Sequence, residues 1–140
     1  MLFRSVIVYP KGVWDRDDYL TFARAIGNSA HDHVSADPGG AQNGPKVLLT
    51  TIDKLVEELK LERVDFIKMD IEGAERRALA GARGTLAKHK PRLAIAGYHR
   101  PDDPDTLPAV IGQAWAGYRM ECGPCVEYES WIRPQALFFH

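Results

Sequence analysis

The 140 residues carry a formal net charge of −1, with 26% charged and 45% hydrophobic residues. That length suits one domain with a real core. The charge balance provides no clustered basic face for nucleic acid, no apolar run approaches a membrane span, and the opening residues do not read as a secretory leader; a cytoplasmic protein is expected.

The opening Leu2-Phe3-Arg4-Ser5 matches one translation of a sequencing-adapter end, so native sequence is expected from near Val6. Val6-Ile7-Val8-Tyr9 reads as a strand broken at Pro10. Lys11 to Asp15 leaves it, Asp15 to Asp18 forms a charged turn, and Tyr19 to Phe22 alternates like a short edge strand. Ala36 to Pro45 reads as a loop, and Val47-Leu48-Leu49 as a short strand. Thr50 with Asp53 makes a capping-box pattern, followed by Ile52, Leu55, Val56 and Leu59 at helical spacing.

The most informative stretch comes next. Val64 to Met69 is a buried-strand pattern, and Asp70-Ile71-Glu72-Gly73-Ala74-Glu75 turns it directly into a helix expected from about Glu72 to Lys88. Ala74, Ala78, Leu79, Ala82 and Leu86 form the helix's apolar stripe. Carboxylates at the carboxyl end of a strand lie where open α/β sheets bind ligands. Leu93 to Ala96 is the next strand, Asp105 to Trp115 a helix, and Tyr118 to Cys122 and Gln135 to Phe139 a closing antiparallel pair. Strands alternating with helices predict a parallel sheet with helices on its faces.

Three segments taken together resemble the FkbM family of S-adenosylmethionine-dependent methyltransferases: Thr51 to Leu55, Val64 to Glu75 and Leu79 to Arg83. The stretch Ile95 to Pro101, with Tyr98 and His99, is similar to one branch of that family. The resemblance implies an α/β fold, the class I (Rossmann-like) methyltransferase sheet with spatial order 3-2-1-4-5-7-6. This chain would hold strands 3 to 7 with an antiparallel C-terminal pair. It would be a single partial domain over residues 1–140, with 1–46 loosely ordered and 47–140 as the core. No glycine-rich cofactor loop precedes Val64, so a truncated chain, inactive alone, is expected. Strand 4 would expose an edge that invites self-association, and strand 3 would be unpaired or paired with strand 4.

The same resemblance implies S-adenosylmethionine as cofactor and a hydroxyl on a small molecule or sugar as acceptor. Asp70, Glu72 and His99 are the candidate catalytic groups, since carboxylates and imidazole can take the acceptor's proton. Glu72 is expected to point away from Asp70 around the helix start. Asp70, Val13 and Trp14 are the candidate cofactor contacts, and Lys68, Glu75 and Tyr98 the candidate substrate contacts. No metal ligand is assigned. The plain reading has the carboxylates serving only the helix amino end, Trp14 as core and Lys68 as a solvated charge.

Rival readings are a divalent-cation-dependent hydrolase using Asp70 and Glu72 and a non-enzymatic α/β interaction module. Cys122-Gly123-Pro124-Cys125 has a thioredoxin-like spacing, but it lies outside a βαβ context and reads as a turn between the last two strands. His31-Asp32-His33 lacks further metal ligands nearby.

Overall fold

The computed structural model describes residues 5–21, 45–128 and 131–140. The reading of 36–45 as a loop and the His31-Asp32-His33 segment fall almost wholly outside them, as do residues 2–4.

Three strands form a small sheet: β1 (Gly12–Val13), β2 (Asp18–Thr21) and β3 (Lys46–Thr50). β3 is central, parallel to β1 and antiparallel to β2. The expected strand Val6 to Tyr9 does not form. Val6, Ile7 and Val8 are 83%, 62% and 86% exposed and have no ladder to join among the described residues, so their β propensity goes unused. Tyr9 and Lys11 bond instead to Glu58. Nor does this part of the chain pair with the strand at Met69; it builds its own sheet around β3.

α1 (Ile52–Glu58) follows β3 directly. Its N-cap is Thr51, whose hydroxyl accepts from the Lys54 amide at 3.1 Å, rather than Thr50. Asp53 is likewise drawn out of the expected capping box. Its carboxylate accepts from the Gly84 and Thr85 amides at 2.9 and 2.7 Å and from the Thr85 hydroxyl at 2.7 Å. The first helix thus caps the one that starts at Arg83, satisfying amides that helix geometry leaves free.

The main sheet contains β4 (Phe66–Met69), β5 (Arg92–Ala96), β6 (Met120–Cys122) and β9 (Ala136–Phe139) in the order β4-β5-β9-β6. β4 and β5 are parallel, and β9 is antiparallel to both its neighbours. β4 has a single partner among the described residues, so its outer edge is free. The expected single helix after β4 is two, α2 (Glu75–Ala80) and α3 (Arg83–His89). The break at Gly81 lets the Trp14 backbone approach closely: a Cβ on Gly81 would lie 2.0 Å from the Trp14 carbonyl oxygen.

α4 (Asp103–Ala114) precedes β6, with Pro104 in its first turn, where a missing amide hydrogen costs nothing. Ala78, Leu79, Ala82, Leu86, Leu107 and Ile111 from α2 to α4 pack on Met69, Leu93, Ile95, Leu137 and Phe139. Helices cover this one face. The opposite face carries Phe66, Lys68 and Phe138, all exposed. An unforeseen hairpin, β7 (Cys125–Tyr128) with β8 (Trp131–Pro134), lies between β6 and β9. Cys122 and Cys125 therefore join β6 to that hairpin rather than turning between the last two strands; both thiols are free and exposed. No described helix is long and apolar enough to cross a membrane.

Candidate active site

The parallel pair β4 and β5 ends on the same side, and the residues that follow each strand meet there. After β4 the chain does not enter the helix at once. Glu72 takes φ 56° and Gly73 φ 89°, a left-handed turn that glycine adopts freely and that costs an L-residue roughly 1–2 kcal/mol. Such strain is retained where surrounding contacts demand it. The turn brings Glu72 Oε2 within 3.5 Å of His99 Nε2. α2 begins only at Glu75.

His99, just beyond β5, is the centre of the group. Its ring is 8% exposed. Nδ1 lies 2.9 Å from Glu75 Oε1. Nε2 is 3.5 Å from Asp70 Oδ1 and 3.5 Å from Glu72 Oε2. The Glu75 contact holds the Nδ1 side of the ring and leaves Nε2 facing the two exposed carboxylates. Glu75 Oε1 also accepts from the Ile71 amide at 2.8 Å. Glu75, expected among the substrate contacts, is instead buried behind His99 and holds its ring; its side chain is 1% exposed. Glu75 Oε2 and His99 Nε2 are both buried without a hydrogen-bond partner among the described residues.

Tyr98 reaches the same group, its hydroxyl 3.4 Å from Asp70 Oδ1. Burial first, and then the negative charge of Asp70, push its phenol above the ordinary value, which keeps it a donor. Lys68 Nζ stands 3.9 Å from Asp70 Oδ2 on an exposed side chain. Lys68, Asp70 and Tyr98 line a cleft of about 330 Å³ on the face opposite the described helices, with Phe66 and Phe138 beyond.

Val13 and Trp14 do not touch the acidic group. They line a neighbouring apolar cavity of about 180 Å³ with Leu20, Val47 and Leu49. Ile71 and Ala74 close it, and these belong to the same turn as Asp70 and Glu72. Cavity and acidic group are thus two sides of one turn. Trp14 is buried, and its backbone N–H donates to the Thr50 carbonyl at 2.7 Å.

Sequence reasoning missed the residues that brace this turn. Arg100 Nε donates to the Gly73 carbonyl at 2.9 Å, and the Arg100 amide donates to Asp103 at 2.7 Å. Burial raises the Asp103 carboxyl, an effect the Arg100 amide opposes. Arg133 donates to the Tyr98 carbonyl at 3.1 Å. Ile71 and Ala74, read only as turn and stripe residues, are cavity walls.

A family model described as the methyltransferase FkbM domain matches residues 4–120. The chain belongs to the FkbM methyltransferase family. No curated protein matches it. Among solved structures, the FkbM methyltransferase from Methylobacillus flagellatus KT is similar, with a TM-score of 0.64 and 25% sequence identity. The match covers 96% of this chain and 28% of the other, so this FkbM chain spans little more than a quarter of that protein's length.

Proposed function

We propose that this FkbM-family chain takes part in S-adenosylmethionine-dependent methylation of a hydroxyl oxygen on a small molecule or sugar. The sheet order β4-β5-β9-β6 supports the class I methyltransferase reading of its fold. The observation that carries the functional reading is the convergence of Asp70, Glu72 and His99 beside the apolar cavity of Val13 and Trp14.

The residues fit the cofactor on two counts. The acidic side of the turn, with its unpartnered buried atoms, complements the positive charge of a sulfonium and an amino group. The apolar side suits a flat adenine against Val13, Trp14 and Leu49. When bound, the cofactor supplies a methyl group open to in-line displacement by an oxygen nucleophile.

The chain's own residues have distinct tasks in this reading. Asp70 faces the cofactor's positive charge. Asp70, Glu72 and His99 Nε2 form the edge that can take the acceptor's proton. Glu75 positions the His99 ring and touches no substrate. Lys68 and Tyr98 line the cleft that holds the acceptor, where positioning supplies much of the rate. Trp14 and Leu49 keep water from the apolar side.

Calorimetric titration with S-adenosylmethionine tests the reading. Saturable binding is expected, weakened at least ~10-fold by Asp70→Ala through loss of a close charge partner. A folded chain that gives no saturable heat, or binds equally well without the Asp70 carboxylate, overturns it.

A further inference from the structure

The group around His99 holds more negative charge than the protein itself balances. Asp70, Glu72 and Glu75 surround one imidazole, and the lysine or arginine within salt-bridge distance of them, among the described residues, is Lys68 at 3.9 Å. Glu75 is fully buried, and its Oε2 has no hydrogen-bond partner among the described residues. His99 Nε2 is buried and unpartnered too, although it is aimed at two carboxylates. Buried polar atoms in native folds are nearly always satisfied, so two orphans in one cluster call for a ligand.

The distances indicate what kind. At 3.5 Å from both Asp70 Oδ1 and Glu72 Oε2, Nε2 is beyond the usual hydrogen-bond range. Two ligands sharing one cation at bond lengths of ~2.0–2.2 Å stand roughly 3–3.5 Å apart. Asp70, Glu75 and His99 each offer one ligand atom, all within 4.8 Å of one another. The Glu75 contact to Nδ1 at 2.9 Å is the arrangement that fixes a metal-binding imidazole, with a carboxylate holding the far nitrogen so that Nε2 is free to coordinate.

We infer that Asp70 and His99 Nε2 bind one divalent first-row transition-metal ion, with Glu75, the third member of the group, holding the ring and Glu72 at the rim 3.5 Å from Nε2. Carboxylate oxygen and imidazole nitrogen form a mixed set suited to Mn²⁺, Fe²⁺ or Zn²⁺. The inference concerns the same site as the proposed methyl transfer but rests on the cluster's charge and geometry alone.

The test titrates the purified chain with Mn²⁺ and follows free ion by its paramagnetic resonance signal. Mn²⁺ is used because the exposed thiols of Cys122 and Cys125 compete for softer ions. One ion per chain is expected, with affinity at least ~10-fold weaker in Glu75→Gln, as for other partners of a metal-bound imidazole. Glu75 is buried, so Asp70→Asn, at a partly exposed side chain, provides a second variant that keeps the fold and should weaken binding at least as much. Glu121→Gln, on β6, should bind normally. No saturable uptake up to millimolar Mn²⁺, or unchanged affinity in Asp70→Asn, overturns the inference. A chain that takes up Mn²⁺ at these residues but never S-adenosylmethionine upholds it while refuting the methyl-transfer reading.

Discussion

Gly81 and Gly112 offer the same substitution with opposite expected outcomes. Gly81 follows α2 with φ −83° and ψ 4°, angles that alanine tolerates. Its constraint is space: an added Cβ would meet the Trp14 carbonyl oxygen at 2.0 Å, the Trp14 carbonyl carbon at 3.1 Å and Asp15 Cα at 3.2 Å. All three are backbone atoms, so no side chain can rotate aside, and the segment must retreat by roughly 1 Å to restore normal contact. Overpacking of this kind costs about 1–3 kcal/mol, occasionally more. At roughly 4 °C per kcal/mol for a domain of this size, Gly81→Ala should melt about 4–12 °C lower. Because Trp14 lines the apolar cavity, the variant should also weaken S-adenosylmethionine binding. Gly112 lies inside α4 with nothing within 4 Å of its added Cβ, so Gly112→Ala should gain about 0.5–1 kcal/mol from helix preference. Thermal unfolding by circular dichroism reads both. A Gly81→Ala protein that melts like the parent, or two shifts of the same sign, would refute the close approach of Trp14 to the α2–α3 break.

Asp53→Ala should cost about 1–3 kcal/mol by freeing two amides and a hydroxyl at the start of α3; a lower urea midpoint with an unchanged slope is expected. Tyr118 donates to the Pro91 carbonyl at 2.9 Å, and burial pushes its phenol up to about 12. The folded-state value lies above the ordinary 10, so the neutral phenol's contribution is complete below pH 10 and is lost as pH rises toward 12. Melts of the parent and Tyr118→Phe at pH 9 and pH 11.5 should therefore converge at the higher pH; a constant gap would contradict this.

Local patterns announced the elements where one partner or one face decides the outcome. The strand ending at Met69, the turn at Asp70 and the strand Leu93 to Ala96 were legible because apolar runs bounded by turn residues have few alternatives, although β4 starts only at Phe66 and leaves Phe66 and Lys68 exposed rather than buried. Val6 to Tyr9 misled because strand propensity needs a neighbour, and the ladder beside β3 goes to Gly12–Val13 instead. The division of one helix into α2 and α3 was hidden in a continuous apolar stripe; its cause is a contact with Trp14, 67 positions upstream of Gly81 by subtraction. The hairpin of β7 and β8 was masked by the Cys-Gly-Pro-Cys spacing, which invited a turn reading.

At the site, residue types were legible and their mutual geometry was not. Asp70, Glu72, Glu75 and His99 stood out by position after two strands. That Glu72 reaches His99, and that Glu75 is buried against it, depends on the left-handed pair Glu72-Gly73, whose glycine carbonyl is braced by Arg100. No local pattern connects Arg100 to Gly73.

The central claim is that the apolar cavity and the acidic imidazole group are two halves of one ligand site. Amide and indole chemical-shift mapping of the ¹⁵N-labelled chain against S-adenosylmethionine, carried to millimolar concentration, tests it most directly. The account predicts saturable shifts at Val13, Trp14, Leu49 and Ala74 together with Asp70, Glu72 and His99, with identical titration curves for both sets. Shifts confined to one set, placed instead on β7 and β8, or absent from a folded chain would contradict it.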